Sequence, residues 1–552
     1  MNPSAPSAPS VNPSRPFVRR KSILLRWPYW LDRLAERRGM SIFSLVLIAL
    51  TVTLVAARWA GLPYPRIHDE FSYLLAADTY AQGRLTNPPH PLWRHFESMH
   101  VLQQPTYQSM YPPAQGMLLA IGQRLGHPAI GIWLSVAMMA AALNWMMRGW
   151  LPGRWAWLGT CLALPQLLLL GREFGGGVAG YWSQSYWGGA VAATGGALLY
   201  GALPRLGQKK PWYAAVLLGL GLGLLIHSRP YEGLAAAVPA AVWVALRLRQ
   251  KTVTPRALAP AALMLAAALA FGAYYNYRVT GHALKPPFLE HHEQYCTFPV
   301  FLWQSARPAP HWNHEVLAQF HGGWEMALFT KHGSIPNALR QSGSKLIRLW
   351  LFFLGPFLTI PLLFSNRRRS GLLPAAGVAG VIAATLLCVR TAPHYAAPAA
   401  GALYLLVAAG WRRLHYAQRG SQAWGAAAGL LVLLATWAQG LASLPWPDRG
   451  NSTASRFMAY RRDLERELAR AGGKSLVLVS YGPRHSPHNE WVYNKADIEA
   501  ADIVWARAMT PPEDRELLAH FHDRLAWRLY INQDEVRPRL EPLRDGPEAV
   551  SP

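Results

Sequence analysis

Apolar stretches alternate with short basic junctions along most of this chain, and the pattern predicts helices that cross a bilayer. The stretches fall at roughly 41–60, 127–149, 155–171, 187–203, 211–227, 232–247, 257–275, 346–365, 371–389, 395–411 and 423–444, each near the length a helix needs to span the hydrocarbon core. The junctions that follow alternate stretches carry Lys and Arg: Arg148 and Arg154; Arg205, Lys209 and Lys210; Arg247, Arg249, Lys251 and Arg256; Arg367-Arg368-Arg369; Arg412-Arg413 and Arg419. With the N-terminus in the cytoplasm, every cytoplasmic junction is then the basic one. About eleven spans is an odd number, which sends the C-terminus outside.

Between and beyond these spans the pattern changes. Two outer loops are long, at about 61–126 and 276–345, and they are too aromatic to be simple linkers. The segment from about 445 onward reads as a soluble unit. Phe457, Tyr460, Leu464 and Leu468 share one face of a helix over Ala454 to Ala471, which Gly472-Gly473 ends. Ser475 to Val479, Ile503 to Trp505 and Trp527 to Tyr530 read as strands, with a helix around Glu513 to His520. The expected fold class is therefore an α-helical polytopic membrane protein of about eleven transmembrane helices, with large extracytoplasmic loops and a small C-terminal α/β domain. Its parts are a basic, disordered cytoplasmic N-terminus over about 1–40, a transmembrane bundle over 41–444 and an outer domain over 445–552.

Composition sharpens this picture. Of 552 residues, 51% are hydrophobic and only 15% charged, which suits a membrane protein with soluble parts. The formal charge of +25 is spread over junctions rather than gathered on one face, so it argues for the positive-inside rule and against nucleic acid. Cys161 and Cys388 lie in apolar stretches and Cys296 in a loop, so no disulfide framework is visible. The first apolar stretch follows about 40 residues, too long a leader for a signal peptide, and reads as an uncleaved helix.

Candidate chemistry gathers at the outer ends of the spans. His68-Asp69-Glu70 opens the first outer loop, and the apolar period that follows places Asp69 near a helix start. A carboxylate there can act as a general base toward a hydroxyl, or can simply cap the helix. Tyr111-Pro112-Pro113 begins a surface helix over about 113–125, since proline suits a first turn. His227-Ser228-Arg229-Pro230-Tyr231 and Arg390-Thr391-Ala392-Pro393-His394-Tyr395 each bring a cation and a ring to the outer rim. Their guanidinium groups can hold a phosphate, or can anchor the helices at the interface. Glu290, His291, His292, Glu293 and Cys296, with His311, His314, His321 and Glu325, match no defined metal-ligand spacing, and a solvated loop is the expectation. Gly175-Gly176-Gly177 lacks the Lys-Ser/Thr ending of a phosphate loop. Tyr181-Trp182-Ser183-Gln184-Ser185-Tyr186-Trp187 offers rings to a sugar or to headgroups.

In this order the motifs resemble the GT-C superfamily of membrane glycosyltransferases, in its protein O-mannosyltransferase and lipid A aminoarabinose transferase branch. The resemblance rests on the acidic pair Asp69-Glu70 after a first span, the proline-led helix at Tyr111-Pro112-Pro113, Arg229-Pro230, and His394-Tyr395 with Pro398. It implies an inverting transfer of a sugar from a polyprenyl-phosphate-linked donor to an extracytoplasmic lipid, glycan or protein acceptor at the plasma (inner) membrane of the cell. It further implies Asp69 as the base, with Glu70 supporting it or binding the acceptor. Arg229, Arg390 and His394 become candidates for the lipid phosphate, and Tyr111, Tyr231 and Tyr395 join the same substrate-binding set. Members differ in metal need, so no cofactor is assigned and a divalent metal stays open. Two other readings use the same features: a polymerase or ligase acting on a lipid-linked oligosaccharide, and a transporter or flippase. The second would call for charged groups within the spans and for internal repeats, and neither is visible.

Overall fold

The computed structural model describes residues 29–170, 180–208, 210–365, 369–417, 424–443, 453–532 and 538–543. The low-complexity N-terminus before Tyr29, the Gly175-Gly176-Gly177 run, Lys209, Arg367-Arg368 and Arg419 lie outside these residues. Among the described residues the apolar stretches are largely helical. Five helices among these residues are long and apolar enough to span a membrane: Arg38–Ala60, Ala129–Met147, Pro230–Arg249, Pro255–Thr280 and Trp424–Ala442. Trp212–Ile226 and Gly371–Leu387 are apolar but shorter.

The eighth stretch departs from the sequence expectation. A straight span over 346–365 is replaced by two helices, Ile335–Phe353 and Gly355–Leu363, bent by 90°. Counted as one broken span, they bring the number of candidate spans to six, so length and composition alone do not reach eleven. The bend sits on Gly355, whose φ of +58° is left-handed and costs glycine little. Proline follows at position 356, where the missing N–H suits a first turn. The first helix of the pair starts eleven residues before the apolar stretch does, because its early turns are polar.

The two long loops are ordered by the segment that follows the last span. Short strands β1 (Val101–Leu102) and β2 (Gln108–Ser109) pair in the first loop. Beyond it, β3 (Ser475–Tyr481), β4 (Ile503–Arg507), β5 (Leu525–Ile531) and β6 (Arg539–Pro542) form one sheet in the order β4-β3-β5-β6. The first three are parallel and β6 is antiparallel. A parallel sheet needs cover on both faces, and alternate residues of β3 supply the two faces. Val477 and Val479 pack under Phe457, Leu464 and Leu468 of the Thr453–Ala471 helix. Leu476 and Leu478 face Leu75, Phe96, Val101 and Tyr107 of the first outer loop. The sheet thus rests directly on the loop that carries the acidic pair.

Candidate active site

The first loop turns into a helix at His68–Ala81, with Ile67 as its N-cap and no side-chain cap. Asp69 is therefore not spent on capping. Its Oδ1 accepts a hydrogen bond from the Tyr111 hydroxyl. His100 Nδ1 lies 3.6 Å from Oδ1, and an Arg390 nitrogen lies 4.0 Å from Oδ2. Ser72 fixes the approach, since its hydroxyl donates to the His100 carbonyl at 2.7 Å and lies 2.7 Å from the Ser109 hydroxyl.

Arg390 joins several of these groups. Its Nη1 donates to Glu325 Oε1 at 2.8 Å and faces His100 Nε2 at 3.3 Å, and its guanidinium lies over Trp324. A guanidinium can only donate, so His100 Nε2 accepts and its proton sits on Nδ1, toward Tyr111 and Asp69. Burial, seconded by Arg390, holds the His100 imidazole well below its usual range, so it stays neutral. Burial opposes the charge on Arg390, but Asp69 and Glu325 outweigh it and keep the guanidinium firmly protonated.

Asp69, Arg390 and Trp324 border a cavity of about 250 Å³. Asp69 is its acid. Lys331, Lys345, Arg348 and Arg390 are its cations, and Trp187, Trp324, His394 and Tyr395 are among its rings. His394 is buried, with Nδ1 2.9 Å from the Tyr181 hydroxyl. Tyr395 lies under Arg229, whose guanidinium carbon is 3.9 Å from the ring centroid. The structure therefore brings Asp69, Tyr111, Arg390, His394, Tyr395 and Arg229 together at one end of the bundle.

Two residues of the expected set point elsewhere. Glu70 follows Asp69 on the helix and is rotated by about 100° from it. Its carboxylate accepts from the Arg66 amide at 3.4 Å and the Tyr186 amide at 3.1 Å, away from the cavity lining. Burial pushes its pKa up to about 7. Tyr231 turns its hydroxyl to the Ala384 carbonyl at 3.3 Å and its ring to Phe301.

The second long loop corrects the expectation of a solvated histidine cluster. His291, His292, His321 and Glu325 are buried, His321 completely. The rings of His68, His100, His291 and His321 follow one another at centroid distances of 5.2, 6.0 and 5.5 Å. His488, from the loop after β3, packs its ring on His68, Phe320 and Trp324. The segment after the last span thus contributes a side chain beside the site.

Sequence reasoning missed Lys331, Lys345, Arg348, His100 and His488. Lys345 and Arg348 are three apart, a helical spacing that the sequence does show. The other three carry no local signal.

No family model matches the chain, and comparison with curated proteins gives no match. Solved structures do match. The chain is similar to ArnT from Cupriavidus metallidurans bound to undecaprenyl phosphate, at 14% identity and a TM-score of 0.54, over 92% of this chain and 99% of that one. It is similar to the same protein in the apo state at 13% identity and a TM-score of 0.51, over 89% and 92% of the two chains. The likeness holds at the level of the fold, over nearly the whole of both chains.

Proposed function

We propose that this protein transfers a sugar from a polyprenyl-phosphate-linked donor to a hydroxyl-bearing acceptor at the outer face of the plasma membrane, with inversion. The observation that carries this reading is the cavity in which Asp69 faces Arg390, with Lys345 and Arg348 on the same wall. The shared fold with a protein whose structure holds undecaprenyl phosphate supports the class of donor.

The chemistry follows from the groups present. The acceptor hydroxyl attacks the sugar carbon from the side opposite the phosphate. Its proton passes to Asp69 as the new C–O bond forms, which is general base catalysis. The bond from carbon to phosphate oxygen breaks, and polyprenyl phosphate leaves with its negative charge held by Arg390, Lys345 and Arg348. Tyr111 occupies one oxygen of Asp69 and leaves the other for the acceptor. The lipid tail stays in the bilayer while the phosphate reaches the cavity. The basic junctions support an N-terminus in the cytoplasm and a 445–552 region outside. Glu70 serves the site by tying the loop around Tyr186 to the helix that carries Asp69.

The test is transfer in proteoliposomes given a lipid-linked monosaccharide or a lipid-linked oligosaccharide. Product from the monosaccharide, lost in Asp69→Asn with normal insertion, is the expected result. Full activity of Asp69→Asn removes that residue from the mechanism. Product from the oligosaccharide alone makes the protein a polymerase or ligase instead.

A further inference from the structure

Beside the cavity lies a cluster that the transfer chemistry does not use. Cys296 ends the Pro287–Tyr295 helix, while His321 and Glu325 are four residues apart and so share a helix face. His321 lies in a π-helical segment, Ala318–Trp324, and such segments concentrate at functional sites. Cys296 Sγ is 3.5 Å from His321 Nδ1 and 3.7 Å from Glu325 Oε2, and Nδ1 is 2.7 Å from Oε2. All three residues are buried.

We infer that Cys296, His321 and Glu325 bind one divalent cation of zinc type, with a fourth position left for water or a nearby imidazole. Tetrahedral zinc with bonds of ~2.3 Å to sulfur and ~2.0 Å to nitrogen and oxygen sets its ligand atoms roughly 3.3–3.6 Å apart. Both distances from sulfur lie close to that, and only the His–Glu pair has to open, by about 0.6 Å. His321 Nε2 and His291 Nε2 are buried with no hydrogen-bond partner. No bond therefore pins either ring to one tautomer, and the proton on His321 Nδ1 can move to Nε2 to free Nδ1 as a ligand.

Glu325 is suited to join the two centres: Oε2 faces Cys296 and His321, and Oε1 holds Arg390. The cation would thereby fix Glu325, and through it Arg390, making Glu325 a positioning residue. Metal binding does not depend on the transferase reading; the positioning of Arg390 does.

A second cluster, His90, Glu499 and His520, fits a cation less well. His90 Nδ1 accepts the Leu92 amide, which puts the ring proton on Nε2, where it donates to Glu499.

The experiment uses the full-length protein in detergent. Elemental analysis after zinc loading and desalting is expected to give one zinc per chain. Cobalt loading is expected to give a thiolate-to-cobalt charge-transfer band in the near ultraviolet. Cys296→Ser is expected to lose that band and to weaken zinc at least about tenfold. Cys296→His keeps zinc without the band, which guards against a variant that merely misfolds. Cys161→Ser and His90→Gln keep both. No stoichiometric zinc in the wild type, a band that survives Cys296→Ser, or zinc lost in His90→Gln overturns the assignment. Glu325→Gln is expected to raise the donor KM about tenfold with kcat nearly unchanged. An equal fall in kcat without a KM change overturns the positioning role but leaves the metal site intact.

Discussion

Two arginine–carboxylate pairs lie at the end of this protein that carries the sheet, and they are built differently. In the sheet, Arg507 and Glu490 meet at 2.6 Å with almost no exposure. Glu490 Oε1 also accepts from the Tyr481 hydroxyl and the Val492 amide, and Arg507 Nε donates to the Glu97 carbonyl. The carboxylate is saturated by the protein. In the bundle, Arg390 stands 4.0 Å from Asp69, and the two side chains are 21% and 13% exposed to a cavity. That contact is too long for a hydrogen bond, and Oδ2 of Asp69 keeps room for one. A pair whose carboxylate is fully engaged holds two pieces of structure together. A loose pair beside a cavity is available to something that arrives.

Replacing one acid in each pair gives the largest effects and separates them. Asp69→Asn is expected to lower transfer by about 10²–10⁴-fold, the usual worth of a general base. Its unfolding temperature in detergent should stay within a few degrees of the parent, because Tyr111 and His100 keep a hydrogen-bonding partner. Glu490→Gln should do the reverse. It leaves Arg507 buried without its counter-charge, at a cost of about 3–5 kcal/mol. Limited proteolysis should then cut the segment after 453 first, while spans remain protected. A Glu490→Gln protein as stable as the parent would erase the contrast.

How much of this was legible in the sequence depends on whether the signal is local. The helix start at His68 is local: its apolar period is short and clear, and Asp69 falls in its first turn. Arg390, His394 and Tyr395 sit in one junction, so their company is visible without a fold. The Glu70 direction was not legible from the dipeptide alone, because it depends on the loop around Tyr186 coming close. Lys345 and Arg348 were hidden for a different reason. Hydropathy marks a span from its apolar part, and the helix that carries them begins eleven residues earlier with polar turns. The histidine cluster was least legible. His68, His100, His291 and His321 are far apart in sequence, and polar loop composition reads as solvated until packing buries it. His488 meets them only because β3 lies against the first loop.

Glu70 gives a third prediction, of intermediate size, and places this residue between the two kinds of pair. Its pKa is raised from 4.5 in the exposed chain to about 7 in the fold. The native state therefore keeps a proton that the unfolded chain has released. Stability from this group is complete below about pH 4.5, falls as pH rises toward 7, and levels off above. The whole change is about 3 kcal/mol. Glu70→Gln should flatten that slope, so the variant gains on the parent at pH 8 and not at pH 5. Thermal unfolding at both values checks it; parallel shifts at the two pH values would show that Glu70 is charged in both states.

The smallest effect sharpens the loose side of the comparison. Arg348 is exposed at the cavity, unlike Lys345, which is buried and donates to the Cys388 carbonyl at 2.6 Å. An exposed cation facing a phosphate contributes about 1 kcal/mol, or roughly fivefold in affinity. Arg348→Ala is expected to raise the donor KM by that factor at low salt. The difference should shrink as salt is added, since screening acts on exposed charges first. Lys345→Met should weaken the donor as well, but with little salt dependence, and should also loosen the Cys388 turn. If both variants show the same salt slope, the cavity is wetter than its burial implies. Asp69 would then face solvent rather than a shaped acceptor site.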